Sequence, residues 1–444
     1  MNDATIFDDE KRIPLKLPGR REDTARRLGL IILVLILVTT GSMIRVRPVA
    51  ESDTADWLVI LQSSLCVIAG LVGVVLIRKH SAGAVAARLL LVYIAAVIVT
   101  AVFSSYFSLV VGYWALLAGT SVLCIGLISS SADESSLERV EFVIFAALAV
   151  MVLKDTILSV FVLEPIDLED GIHRIGDNTT SSNALGILAA MAFCMSFRSS
   201  ASTKRSRYLR YAWRALFLSV ILLTRSRVSL LGLLGGMLIR FWFARRRSTH
   251  PRIPVLIAAI PCWIGTVVLL GAIGWVLNVP PVTAMVDLVN RNEDSDTLMS
   301  VTGRTEIWPY AIQRIFESAQ SILLGHGYGV SKFVLNENNW SASFFAYHSH
   351  NTFLEAWLGT GLLGAIPFLL LLAYGTAWVF RFSDLRKSFS MDFTLRAIAV
   401  LTLILSSIFT ESELVTKINP VAIVFFFYVL ALDRRRAFGR ICEQ

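Results

Sequence analysis

Charge is what this sequence has little of. Only 17% of its 444 residues are Asp, Glu, Lys or Arg, against about 25% in average soluble chains. That shortage excludes the two or three water-facing domains that length alone would suggest. Cysteine is also scarce, with five residues and no CxxC pair. Cys66, Cys124, Cys194 and Cys262 sit in apolar runs and Cys442 in a basic tail, so neither a disulfide framework nor a zinc site is indicated. The glycines at 325–329 lack the strand–helix context of a dinucleotide fingerprint. There is no internal repeat of the inverted-repeat transporter kind. No small-residue cleavage pattern follows the basic leader, so the leader is expected to stay and the first helix to act as an anchor.

What is present is apolar: 55% hydrophobic residues and a mean hydropathy of +0.66. A bilayer core takes about 20 apolar residues per helix. Such runs fall near 28–44, 57–77, 85–103, 107–128, 140–163, 183–197, 211–224, 228–243, 253–277, 352–380, 397–410 and 418–432. The fold expected is an all-α polytopic membrane protein with about twelve transmembrane helices. The net charge of +8 then reports orientation, because Lys and Arg collect in cytoplasmic loops; nucleic-acid binding is not implied. Thirty of the 41 Lys and Arg lie in the leader, 78–88, 129–139, 198–214, 240–252, 381–396 and the tail; ten lie in the alternate segments and Lys154 within a span. Both termini are therefore expected in the cytoplasm. Runs 211–224 and 228–243 are read as two helices meeting at an outer turn near Thr224–Arg227, since one long helix would put Arg245, Arg246 and Arg247 outside. The organisation predicted is a basic cytoplasmic leader (1–27), helices 1–9 (28–277), a large helical periplasmic loop (278–350), helices 10–12 (351–432) and a basic cytoplasmic tail (433–444).

The outer side holds two long loops, 164–182 and 278–350. Long loops without linker composition are often functional. In the second, Thr305 is expected to cap a helix with an apolar stripe at Ile307, Trp308, Ala311, Ile312, Ile315 and Phe316. Clustered glycines in Gly325–Gly329 end it, which predicts a small folded lid. The loop closes on His348-Ser349-His350-Asn351. His350, Leu354, Trp357, Leu358 and Gly361 are expected on one helix face, and Gly361 with Gly364 permits close packing on a neighbouring helix. His350 reads equally as a polar helix start that touches interfacial water and as a reactive group. Arg225 and Arg227 occupy an outer turn where cations are disfavoured. They are either snorkelling side chains or an anion clamp, since guanidinium binds phosphate oxygens bidentately; Arg304 and Arg174 lie on the same side. Asp294-Ser295-Asp296 forms a DxD that reads as a solvated turn. Lys154-Asp155 is the charged pair within a span, and adjacent charges of that kind can neutralise each other. Glu411 and Glu413 either pair with Lys417 or face the cavity.

These motifs resemble those of the bacterial O-antigen ligase and polymerase superfamily over roughly residues 170–430. Ser226-Arg227 is similar to the family's Ser-Arg turn, with Arg225 as a neighbour. Gly303-Arg304 with Trp308 resembles the Gly-Arg…Trp opening of the periplasmic loop, and Leu324–Gly329 its glycine-rich turn. His350-Asn351, with glycines at 359, 361 and 364, matches the signature at the loop's end. His348 is an addition to the pattern, and Arg174–Asn183 matches the upstream Arg-containing loop only loosely. The resemblance implies a glycosyltransferase of the bacterial inner membrane, its active site facing the periplasm. The donor it implies is a glycan on undecaprenyl diphosphate, and the acceptor a lipid A core or another glycan.

A lipid diphosphate already activates the sugar, so no nucleotide, cofactor or metal is required. A histidine with an ordinary pKa near 6.5 suits the base, and arginines suit the departing diphosphate. His350 is accordingly the expected catalytic base. Arg227, Arg225 and Arg304 are the expected diphosphate ligands, with Asn351, His348 and Arg174 supporting. An inverting, metal-independent single displacement is the simplest chemistry. Ligase is the first assignment, polymerase of the same superfamily the second, and a flippase for the lipid-linked glycan the more distant one.

Overall fold

The computed structural model describes residues 20–40, 57–77, 85–131, 133–159, 181–198, 204–245, 304–337, 346, 348–381, 389–408, 411–412, 414–416 and 418–442. Among these residues there are helices and no strand. In chain order they are α1 (Arg20–Thr40), α2 (Trp57–Leu76), α3 (Val85–Ala101), α4 (Phe107–Ser130), α5 (Glu134–Ile157), α6 (Ser182–Met195), α7 (Lys204–Leu223), α8 (Arg227–Arg245), α9 (Arg304–Ile315), α10 (Ala319–Leu324), α11 (Ser331–Val334), α12 (Thr352–Phe380), α13 (Met391–Ser407) and α14 (Pro420–Cys442). Helices thus stand where eleven of the twelve expected spans fall; run 253–277 lies outside the described residues. Among the described residues, three stretches, Phe107–Ser130, Arg227–Ala244 and Thr352–Phe380, are long and apolar enough to cross a membrane.

The packing is that of a helical membrane protein. α14 is apolar on every side and is buried all round from Val421 to Leu432, as a central helix must be. α6 and α13 share this interior, with Leu185, Ala189, Phe393 and Leu401 closed off completely. The outer helices instead turn apolar side chains outward: Leu71, Val74 and Val75 on α2 and Leu234, Leu238 and Phe241 on α8 are exposed. An apolar belt on this scale is unsuited to water and suited to lipid. Close approach replaces hydrophobic drive between such helices. A Cβ on Gly119 of α4 would lie 2.0 Å from the Cys66 carbonyl of α2.

The chain breaks after Leu223 and resumes helix at Arg227, so the predicted division into two helices is what the backbone does. α9 begins at Arg304, one residue before the expected cap at Thr305. Its stripe also divides: Ile307, Ala311 and Ile315 are buried against α12, whereas Ile312 and Phe316 are exposed.

α12 is two helices fused at Gly361, which has φ 56. Such a break removes the helical donors from the carbonyls before it. The glycine-rich turn supplies replacements: the N–H of His326 donates to the Leu358 carbonyl at 2.9 Å, and that of Gly327 to the Gly359 carbonyl at 2.8 Å. The two backbones touch, since a Cβ on Gly361 would lie 2.3 Å from the Leu323 carbonyl carbon. Gly361 therefore packs on α10 of the loop, while a Cβ on Gly364 would meet Thr360 of its own helix. The Trp357 indole donates to the Ile322 carbonyl at 3.1 Å. Tyr328 closes the turn against Tyr93 at 6.4 Å; burial, with Tyr93 and Glu355 nearby, holds its hydroxyl well above the ordinary tyrosine pKa. It stays neutral and packs.

Candidate active site

Asn351 caps α12, its Oδ1 accepting the N–H groups of Phe353 and Leu354 at 2.9 and 3.2 Å. An N-cap takes extended backbone, and Asn351 has φ −150. His350 consequently stands outside the helix, at φ 51. The expected shared face of His350 with Leu354, Trp357, Leu358 and Gly361 is corrected on this ground. The segment is held from both sides. The Ser349 N–H donates to buried Glu355 at 2.8 Å, its hydroxyl to the Asn351 carbonyl at 3.0 Å, and its carbonyl accepts the Trp308 indole N–H at 2.9 Å. His348 Nδ1 lies 2.8 Å from the Ser412 hydroxyl. The two imidazole rings are 4.0 Å apart.

Glu411 meets this segment from the end of α13. Its Oε2 is 3.6 Å from His350 Nδ1, and its carboxylate is 3% exposed against 27% for the imidazole. That distance is a close electrostatic contact but too long for a hydrogen bond. The other carboxylate oxygen accepts from Asn183 Nδ2 at 2.8 Å. Glu411 is itself fixed: its carbonyl accepts the Thr352 hydroxyl at 2.7 Å, and the Thr352 N–H donates to the Ile408 carbonyl at 2.9 Å. The start of α12 and the end of α13 are stapled together at the histidine.

Asn183 also reaches the arginine turn. Its carbonyl lies 3.4 Å from the Ser229 hydroxyl, which bonds the Ser226 hydroxyl at 2.8 Å. Thr224, Ser226 and Ser229 are all fully buried. The turn lies directly on α6, because a Cβ on Gly186 would sit 2.5 Å from Ser229 Oγ. Arg225 and Arg227 are half-buried, and Arg225 has φ 50. Among the described residues, Arg225 and His350 are the two non-glycines with positive φ. That conformation costs about 1–2 kcal/mol and collects at functional sites.

The structure therefore joins His348, His350 and Asn351 to the Arg225–Arg227 turn through Asn183 and Glu411. Arg304 opens α9, one helical turn before Trp308. Arg174, Asp294, Asp296, Glu413 and Lys417 lie outside the described residues. Lys154 and Asp155 pair at 2.8 Å on α5, the self-neutralising arrangement. Glu411, whose expected partner Lys417 lies outside the described residues, meets His350 and Asn183. The sequence signals for both were faint: a carboxylate at the end of one apolar run and an amide at the start of another.

Residues 211–369 match the family model described as O-antigen ligase. The match supports the resemblance to the O-antigen ligase superfamily. The matched stretch holds the arginine turn, Arg304, the glycine-rich turn and His350–Asn351; Asn183 and Glu411 lie beyond its ends. Members of the family are glycosyltransferase-like enzymes of polysaccharide and lipopolysaccharide biosynthesis. No curated protein matches the chain significantly.

Proposed function

We propose that this membrane protein is an O-antigen ligase: it moves a glycan from undecaprenyl diphosphate to an acceptor hydroxyl, on a lipid A core, at the periplasmic face of the inner membrane. The observation that carries this reading is the His350–Glu411–Asn183 array beside the arginine turn, with His350 and that turn inside the stretch that matches the O-antigen ligase model. In the proposed topology about twelve helices span the membrane, both termini are cytoplasmic, and 278–350 is the periplasmic catalytic loop.

His350 acts as base. Glu411 beside Nδ1 holds the tautomer that carries its proton there, leaving Nε2 to accept the acceptor's proton. Catalytic hydrogen bonds are often long without substrate and tighten in the complex, which suits the 3.6 Å contact. The acceptor oxygen bonds to the anomeric carbon as the carbon–oxygen bond to diphosphate breaks, and the configuration inverts. Arg227, Arg225 and Arg304 receive the departing diphosphate, whose charge grows in the transition state. His348 and Asn351 support the loop, Arg174 completes the cationic rim, and the chemistry needs no metal.

The test is the surface and lipid-linked glycan profile of a deletion strain complemented with wild type or His350→Ala. A ligase leaves the lipid A core bare while long lipid-linked chains accumulate. Short lipid-linked units with lost polymer would assign polymerase instead. Restoration of the normal profile by His350→Ala would remove the catalytic assignment and reopen the flippase reading.

A further inference from the structure

α6, α7, α8 and α13 enclose a second cationic site at the opposite end of the bundle from His350. Arg240 follows Arg227 by thirteen residues along α8, which at 1.5 Å per residue is about 20 Å. The cavity has a volume of about 210 Å³ and is lined by Arg198, Arg207, Arg210, Arg214 and Arg240, with Asp392 as the acidic residue among them. A single water needs roughly 15 Å³, so the space admits a polyatomic ion.

The charges do not balance from within. Among the described residues, Glu138 takes Arg198 at 3.2 Å, which leaves one lining carboxylate, Asp392, against four guanidinium groups. Two of those share one ring: Arg214 and Arg240 lie 3.9 and 4.6 Å from the centre of Phe197. Arg214 is aimed by the Ser196 hydroxyl and carbonyl at 3.2 and 3.1 Å. Arg240 Nη1 is enclosed and makes no hydrogen bond, although an enclosed charged donor without an acceptor is costly. An oxyanion with several oxygens would supply the missing acceptor and relieve the repulsion together. Guanidinium clusters recognise phosphate in this way, and basic pockets between helices near a membrane surface hold phospholipid headgroups.

We propose that this cavity is a binding site for a phosphate group, carried either by an anionic phospholipid of the adjacent leaflet or by a soluble phosphate compound. The site is independent of the glycan-transfer reading. On the proposed topology it faces the cytoplasm, so it is a structural or regulatory site and takes no part in transfer.

The test uses the full-length protein in phosphatidylcholine nanodiscs, with added phosphatidylglycerol or with inorganic phosphate, followed by thermal unfolding. Phosphatidylglycerol should raise Tm by roughly 2–4 °C and co-purify in native mass spectra. Arg240→Gln and Arg207→Gln should abolish most of that rise. The Arg207 side chain makes no hydrogen bond to the described residues, so its variant keeps the wild-type Tm in phosphatidylcholine and serves if Arg240→Gln fails to fold. The exposed Arg27 on α1 is the control for diffuse attraction, and Arg27→Gln should leave the rise intact. The same variant-sensitive rise with inorganic phosphate alone identifies a soluble ligand. No rise in either arm, or a rise that both cavity variants preserve or Arg27→Gln removes equally, overturns the proposal.

Discussion

Two polar clusters are buried in this bundle, one at each end of α13, and they are built differently. At the first turns of α13, Arg396 is fully buried and donates to Glu141 at 2.9 and 2.7 Å and to Glu138 at 3.0 Å. Tyr428 of α14 completes the set, donating to Glu141 at 2.6 Å. Fifteen residues later, just past the other end of the helix, Glu411 meets His350 at 3.6 Å, with the imidazole partly open to the outside. One cluster has charge matched by charge at bonding distance; the other is loosely closed and flanked by two left-handed residues. A closed cluster locks α5, α13 and α14 together. An open one keeps a group available for chemistry.

The sharpest way to break that contrast is at the closed end. Arg396→Ala leaves the buried Glu141 carboxylate without its cation and should cost about 3–5 kcal/mol, seen as lost folded yield or a steep fall in Tm. A variant of wild-type stability would show that the cluster is not the clamp its geometry describes. Glu411→Gln is the counterpart at the open end. It keeps shape and an acceptor for Asn183 but loses the charge, so transfer should fall roughly 10²-fold or more while the unfolding transition stays near wild type. A stability loss as large as that of Arg396→Ala, with normal transfer, would make the two ends equivalent.

Smaller effects sharpen the comparison. At φ 50, Arg225→Gly should be more stable than Arg225→Ala by about 1 kcal/mol, the reverse of the order at ordinary helical positions; the ordinary order would rule out the left-handed turn. At the rim of the closed end, Asp133 caps α5 and accepts from the Ser136 N–H at 3.0 Å. Bonds from Ser136 and then Ser135 lower its carboxyl from 3.8 to about 2. A lowered carboxyl contributes stability above its ordinary pKa and loses it as pH falls toward the folded value. Asp133→Ala should therefore cost about 1 kcal/mol at neutral pH, with the gap to wild type closing as unfolding is followed down toward pH 2. A gap that persists at the acid end would mean the carboxylate is not the capping group.

What the sequence made legible was local. The break at Thr224–Arg227 followed from charge placement, and the helix end at Leu324 from clustered glycines, although the single helix expected from Thr305 is divided after Ile315. What it hid was long-range. Asn183 and Glu411 are separated by 228 positions and Arg396 and Glu141 by 255, and no periodicity links residues so far apart. His350 was assigned to a helix face because three- and four-residue spacing continues through it. The spacing could not register that Asn351 turns its side chain back to cap the helix, which leaves His350 one residue outside.

The break at Gly361 also works as a depth gauge. Thr352–Phe380 is 29 residues, about 43 Å at 1.5 Å per residue, and overshoots a hydrocarbon core of about 30 Å. The part after the break, 362–380, is about 28 Å long and matches that thickness. The first part, 352–360, then stands about 14 Å proud of it, among lipid headgroups and level with the turn it is bonded to. In the proposed reaction, a donor anchored by a polyprenyl tail carries its diphosphate at this same height. The tail need never leave the oil for the sugar to arrive at the histidine.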